Sequence, residues 1–288
     1  MTYQSVFRPG LFDDRVVVIT GGGSGIGRCT AHELAALGAT VVITGRNEEK
    51  LRRTTAEIVE DNGQADWIAF DIRDEEATRA AIAEILNRWE KINGLVNNAG
   101  GQFTAHLEEI SLKGWEAVVK TNLNGGFLVS REAYSQCMKN SGGAIVNMLM
   151  DNWNSAPFMS HSGAARAGMM NFTKTAALEW APSGVRVNAV APGTIASSGL
   201  DTYGTDYSRI LRKRSQQNPM KRLGTEAEVS AAITFLLSDA AAYISGTTLR
   251  VDGAAPNYKT VWEMEGHTNS IAFNGFHRST TPQVLDDE

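Results

Sequence analysis

The sequence predicts a doubly wound α/β fold, a seven-stranded parallel sheet sandwiched between two layers of helices. Three observations lead there. Short apolar runs alternate along the chain with longer stretches of helical period. Most of those runs are continuously apolar, as suits strands buried on both faces of a parallel sheet. No internal repeat or low-complexity linker breaks the alternation, so one domain is expected over residues 1–255.

The first strand, Val16–Thr20, feeds a helix over Ile26–Leu37 through a glycine-rich turn. Thr40–Thr44 leads to the helix Glu48–Asn62, and Asp66–Phe70 to Glu75–Glu90. Gly94–Val96 precedes Trp115–Lys139, and Ala144–Met148 precedes Ser162–Trp180. Arg186–Val190 is followed by a long segment, then by the helix Glu226–Ser238 and the last strand Thr247–Val251. Two stretches break this rhythm. Ala196–Leu223 is too long for an ordinary connection and follows a strand's carboxyl end, where ligands enter such sheets, so a substrate loop is expected there. Residues 256–288 form a C-terminal extension without clear period, yet it holds Trp262, Phe273 and Phe276, which a solvated tail would not need.

The chain has 288 residues, with 27 Lys+Arg against 32 Asp+Glu and a formal net charge of −5. A hydrophobic share of 42% excludes a disordered or fibrous chain, and the mild acidity argues against nucleic acid as a partner. Cys29 and Cys137 stand far apart and outside any Cys-x-x-Cys or Cys/His cluster, so neither a disulfide framework nor a structural metal is expected. No basic, then apolar, leader opens the chain and no run approaches the roughly 18 apolar residues of a membrane span. A cytoplasmic protein with no membrane partner is the expectation.

Directly after the first strand stands Thr20-Gly21-Gly22-Gly23-Ser24-Gly25-Ile26-Gly27. Glycines there let the backbone turn tightly and approach a pyrophosphate, whose charge meets N–H groups at a helix N-terminus. Position at the first strand-to-helix junction is what gives such a loop meaning. Gly21, Ser24, Gly25, Ile26 and Gly27 are therefore candidate cofactor residues. The second strand ends Thr44-Gly45-Arg46-Asn47, with no acid before Glu48. An acid would hold a ribose 2′-hydroxyl, whereas Arg46 suits a 2′-phosphate. NADP(H) is expected, with NAD(H) as the alternative.

These motifs are joined by Asn97-Asn98-Ala99-Gly100, Thr121-Asn122-Leu123, Pro192-Gly193 and Asp252-Gly253. Together they resemble the short-chain dehydrogenase/reductase family over about residues 12–255. The resemblance implies a Rossmann fold in which Asp71 contacts the adenine, Asn98 and Gly100 line the cofactor groove, and Ile195 and Ser197 hold the nicotinamide amide. Ile72, Ala99, Pro192 and Gly193 join them as cofactor candidates. It also implies a homodimer or homotetramer built on the helices Trp115–Lys139 and Ser162–Trp180.

Members usually carry a Ser and then Tyr-x-x-x-Lys, whose i and i+4 positions share a helix face. Aligned through Ala167-Gly168, this chain has Ser162 at the Tyr position and Arg166 at the Lys position. Leu149, Met150 and Asp151 stand where the Ser is expected, and no Tyr-x-x-x-Lys occurs in the chain. Arg166 can still donate to ribose hydroxyls but stays protonated. A Ser hydroxyl with no base beside it is a poor acid, and losing an acid–base group typically costs about 10²–10⁴-fold. Hydride addition to C3 of a 2-enoyl thioester suffers less, because its oxygen needs only hydrogen-bond donors while the proton goes to carbon.

The segments Asn97–Phe103, Lys113-Gly114-Trp115 and His161–Gly168 resemble the branch of the family that contains enoyl- and dienoyl-CoA reductases. Met170 departs from it, standing where that branch can place a Tyr, and the ending Asp286-Asp287-Glu288 is no peroxisomal address. The expected function is NADPH-dependent reduction of the C2=C3 bond of a 2-enoyl-CoA. The alternatives are an alcohol, aldehyde or ketone dehydrogenase with an atypical site, and a weakly catalytic dinucleotide-binding protein. Candidate catalytic residues are Asn122, Ser162, Arg166 and Asp151, the last needing a raised pKa; His161 is a further titrating candidate. Tyr203 and Tyr207 are expected to close over substrate. Arg209, Arg212 and Lys213, in a stretch without an acid as far as Arg222, would meet the phosphates of an acyl-CoA partner. A solvated basic helix face is the alternative for that stretch.

Overall fold

In the computed structural model, which describes residues 2–203, 207–258 and 264–285, β1 (Val16–Thr20) is flanked by β2 (Thr40–Gly45) and β4 (Gly94–Asn97). With β3 (Gln64–Ala69), β5 (Gly143–Met148), β6 (Val185–Pro192) and β9 (Thr248–Val251) they make one parallel sheet, ordered β3-β2-β1-β4-β5-β6-β9. A separate two-stranded pair joins β7 (Ile195–Ala196) to β8 (Gly224–Thr225) across the ends of the long segment. The expected seven-stranded parallel fold is therefore present. Its strand order reverses between β1 and β4, and that reversal opens a crevice at the strands' carboxyl ends.

Helices α1 (Gly25–Ala36), α2 (Glu48–Glu60) and α3 (Glu75–Trp89) begin where short polar side chains or glycine allow. Asn47 accepts from the Lys50 N–H and Asp74 from the Ala77 N–H, satisfying donors a first turn leaves bare. Two apolar clusters, one on each face of the sheet, bury β1, β2, β4 and β5 against the helices. β3 departs from the expected double burial: it begins two residues early and is exposed at both ends, as an edge strand can be.

The helix expected over 115–139 is not uniform. It runs as α4 (Leu112–Val119), a wide π-helical stretch Lys120–Gly125, α5 (Gly126–Ala133), a second π-helical stretch Tyr134–Met138, and a last turn, α6 (Lys139–Ser141). α7 (Ser160–Glu179) follows β5. The long segment holds a 3₁₀ stretch, Ser198–Tyr203, and α8 (Tyr207–Gln217); α9 (Glu226–Leu237) then opens on a Thr225–Glu228 capping box.

The C-terminal extension docks on the body. Phe276 is 1% exposed, beneath the Arg28 guanidinium and beside Tyr3 and His32. Arg278 reaches Glu60 and Asp61 at the end of α2, each at 2.8 Å. Trp262 and Asp286-Asp287-Glu288 lie outside the described residues. Among the described residues no helix is long and apolar enough to cross a membrane.

Candidate active site

The crevice begins as a groove of about 490 Å³ lined by Gly21, Ser24, Arg46, Asp71, Ile72, Asn98, Ala99 and Gly100. The Thr20 hydroxyl accepts from the N–H groups of Asn98 (3.1 Å) and Ala99 (3.0 Å), which pins the β1 turn to the β4 turn. Gly21 has a φ of +68°, and a Cβ there would lie 2.9 Å from the Ala99 Cα. At Gly27 a Cβ would stand 2.4 Å from the Gly21 carbonyl oxygen, so only glycine lets α1 approach the turn this closely. Gly25 and Gly27 thus shape the groove from behind. Ser24 makes no side-chain cap on α1, which leaves first-turn N–H groups for an anion. The groove therefore fits a dinucleotide, with its pyrophosphate on that turn.

At the far end Arg46 shares the lining with Lys50 and Arg73. The Asp71 carboxylate accepts from Arg73 Nε at 3.0 Å, and that bond holds its pKa below the ordinary carboxylate range. Ile72 packs against Gly125 in the first π-helical stretch, where a Cβ would come 2.5 Å from its Cδ1.

Asn122 lies in the same stretch, 2% exposed. Its Oδ1 accepts from the Gly101 N–H at 2.9 Å, while its Nδ2 donates to the Gly101 carbonyl at 3.0 Å and to Ser162 Oγ at 3.2 Å. Ser162 Oγ donates in turn to Gln102 Oε1 at 2.7 Å. One turn along α7 from Ser162, the buried Arg166 donates to the Met148 carbonyl and lies beneath Gly100, where a Cβ would be 2.3 Å from its Nη2. Burial lowers the Arg166 pKa to about 10, so it remains a cation at neutral pH. The structure brings Asn122, Ser162 and Arg166 together behind Gly100, which lines the groove, and Gln102, which lines a second cavity; the three themselves line neither.

That cavity, about 530 Å³, continues the crevice under residues 197–203 and 207–223. Ile26, Pro192, Gly193, Ile195 and Ser197, the residues expected to meet a cofactor, line it. Met150, Ala156, Pro157, Met159, Leu200 and Leu223 give it apolar walls. Asp151 also faces it, half-buried, and its carboxyl is pushed up by burial and by the neighbouring Asp252. His161 is buried against the Phe103 ring, and burial lowers its pKa, which disfavours the charged form that a titrating role would need. Tyr203 and Tyr207 line the cavity with their rings stacked 4.6 Å apart.

Along α8, Tyr207, Leu211 and Arg214 fall on one side at helical spacing. Arg214 lines the cavity and lies over the Tyr207 ring. Arg209, Arg212, Lys213 and Arg214 are all exposed, and of these four Arg214 lines the cavity while the other three lie outside its lining. Arg214 belongs to the same basic stretch as Arg209, Arg212 and Lys213, and its helical spacing from Tyr207 sets it apart from them. Arg73 sits two residues past Asp71. Gln102 meets a partner 101 residues away, which no local pattern announces.

Comparison with known proteins agrees with this geometry. A family model described as enoyl-(acyl carrier protein) reductase matches residues 21–254. A probable 2,4-dienoyl-CoA reductase, (2E)-enoyl-CoA-producing, of Bacillus subtilis (strain 168) is 36% identical over 244 residues, 84% of this chain and 96% of that protein. The peroxisomal 2,4-dienoyl-CoA reductase, (3E)-enoyl-CoA-producing, of Danio rerio is 34% identical over 256 residues, 88% of this chain and 85% of that protein. Among solved structures, a citronellol catabolism dehydrogenase of Pseudomonas aeruginosa PAO1 superposes with a TM-score of 0.80 at 57% identity, covering 88% of this chain and 99% of that chain.

Proposed function

Because the chain belongs to the short-chain dehydrogenase/reductase family, whose members are oxidoreductases using nicotinamide dinucleotides, we propose that it reduces the conjugated double bond of an enoyl- or dienoyl-CoA thioester with NADPH. The 2′-phosphate would rest on Arg46 with Lys50 and Arg73 alongside, and the pyrophosphate on the first turn of α1. When bound, the reduced nicotinamide supplies a hydride to the conjugated chain, and the resulting charge collects on the thioester oxygen. The protein's part is to hold that oxygen, while the completing proton goes to carbon.

The Ser162–Arg166 pair is the observation that carries this reading. The positions where the family usually sets Tyr and Lys hold a hydroxyl and a guanidinium bound to the Met148 carbonyl. Neither group cycles a proton, which suits a reduction whose completing proton goes to carbon over one that must protonate an alkoxide. The apolar walls suit an acyl chain, and Arg214 at the cavity suits a coenzyme A phosphate.

A second reading has its own support. Asp151 faces the same cavity with a raised pKa, and the 57%-identical structure is named a citronellol catabolism dehydrogenase. A carboxyl of that kind could serve as acid and base for an alcohol. Purified protein should be followed by NADPH absorbance with crotonyl-CoA and 2,4-hexadienoyl-CoA, then by NADP⁺ reduction with citronellol, with NADH and NAD⁺ in parallel. Turnover of the thioesters with preference for NADPH is expected. Turnover of the alcohol alone would replace the first reading by the second.

A further inference from the structure

We propose that the hydroxyl of Tyr203 is the donor that receives the substrate's carbonyl oxygen, and that Asn122, Ser162 and Gln102 aim it. The inference rests on the reading of the chain as a reductase of conjugated thioesters. Its starting point is a hydrogen-bond chain whose polarity is set at one end by backbone. Asn122 bonds both the N–H and the carbonyl of Gly101, which leaves no freedom in which end of its amide is oxygen. Its Nδ2 therefore donates to Ser162 Oγ. The acceptor Ser162 has among the described residues is Gln102 Oε1 (2.7 Å), so the serine proton goes there.

With Oε1 so engaged, the other end of the Gln102 amide is its NH₂, and Nε2 donates to the Tyr203 hydroxyl oxygen at 2.7 Å. A phenol that accepts from Gln102 has its own proton left to give, and Tyr203 lines the cavity. Stacking on Tyr207 accounts for the ring but not for the hydroxyl, since a phenylalanine would stack as well.

The chain ends in an amide, which holds a hydrogen bond without conducting a proton, so Tyr203 keeps its O–H bond throughout. Burial supports this by raising its pKa. Tyr203 is then a donor to developing charge on the thioester oxygen, Gln102 is a positioning residue, and solvent supplies the proton that reaches carbon. The helix α7 position taken by Ser162 thus hands its task to a residue from the substrate loop.

The test compares wild type with Tyr203→Phe and Gln102→Leu. Two readouts are used: steady-state reduction of crotonyl-CoA, and the vibrational frequency of crotonyl-CoA labelled at its carbonyl carbon and bound in the presence of NADP⁺. Wild type should lower the carbonyl frequency. Tyr203→Phe should abolish that shift and lower kcat about 10²–10³-fold, the usual effect of losing one such donor, with NADP⁺ affinity and unfolding midpoint unchanged. Gln102→Leu should weaken the shift and kcat without moving the KM for NADPH. A Tyr203→Phe enzyme with kcat within about threefold of wild type, or with the shift intact, overturns the inference. Should wild type turn over no conjugated thioester, the functional reading fails on its own. A carbonyl shift that Tyr203→Phe removes would still support the donor, and its absence in wild type would overturn it.

Discussion

Replacing Glu226 by glutamine is expected to stabilise the protein by about 2–3 kcal/mol at pH 8 and to change it by less than about 1 kcal/mol at pH 5. Glu226 opens α9 behind the glycine loop, its Oε1 3.9 Å from where a Gly25 Cβ would stand. Burial pushes its carboxyl from 4.5 up to about 7, against the opposing pull of Arg28 and of a hydrogen bond with the Ser198 backbone. One pKa step corresponds to about 1.4 kcal/mol, so carrying the charge inside the fold costs about 3 kcal/mol as an upper bound. Below pH 4.5 the folded and unfolded chains both hold the proton and no penalty arises. Between 4.5 and about 7 the unfolded chain releases it while the fold retains it, so stability declines as pH rises, and above about 7 the loss is constant. Glutamine keeps the neutral shape at every pH. Urea unfolding of both proteins at the two pH values measures the effect. A gain of equal size at pH 5 and pH 8, or a loss at pH 8, would refute the reasoning.

Arg46→Ala should weaken NADPH binding about 10–100-fold, the worth of a charge-assisted contact, and leave NADH within about twofold; titration of both nucleotides decides it, and equal losses would end the 2′-phosphate role. Gly100→Ala should displace the Arg166 guanidinium and Asn122 together and lower kcat/KM about 10²-fold; steady-state kinetics with unchanged values would show that the loop yields freely. Phe276→Ala should cost about 3–5 kcal/mol in urea unfolding, since the ring is fully buried; a loss below about 1 kcal/mol would mean that the extension contributes little to the fold. Light scattering should report a homodimer or homotetramer, in keeping with Leu112 and Leu178 standing 73% and 78% exposed on α4 and α7. A monomer would contradict it.

The sheet was legible because most strands are short apolar runs set between longer stretches of helical period, and burial on both faces of the central strands enforces that contrast. The glycine loop was legible for a similar reason: only glycine tolerates the close approach at Gly21 and Gly27. What escaped the sequence was direction. A run such as 112–141 carries helical period whether or not two of its turns are wide, so the π-helical stretches left no trace in the pattern. Arg209, Arg212 and Lys213 stand out as a charge run, although the spacing of Tyr207 and Arg214 is what marks the side of α8 that meets the cavity. Gln102 stands inside the Asn97–Phe103 resemblance, but its role had no local signal, because it depends on Ser162 and Tyr203 arriving from distant parts of the chain.

The wide turn at Lys120–Gly125 has a geometric consequence for how this site tolerates change. Asn122 and Ser130 are eight residues apart, yet both serve the end of β4 and its loop, Ser130 accepting from Asn97 Nδ2 at 2.7 Å and Asn122 holding Gly101. At 3.6 residues per turn, eight steps of plain α-helix would set them about 80° apart around the axis, whereas absorbing one residue in a wide turn brings them to within about 20°. Removing one residue between them would thus relax the turn to ordinary α-helix and leave both side chains on that face. Removing one on either side of the pair would not. The segment 123–129 is therefore the stretch of this helix in which length can drift over generations of the gene while the chemistry keeps its aim.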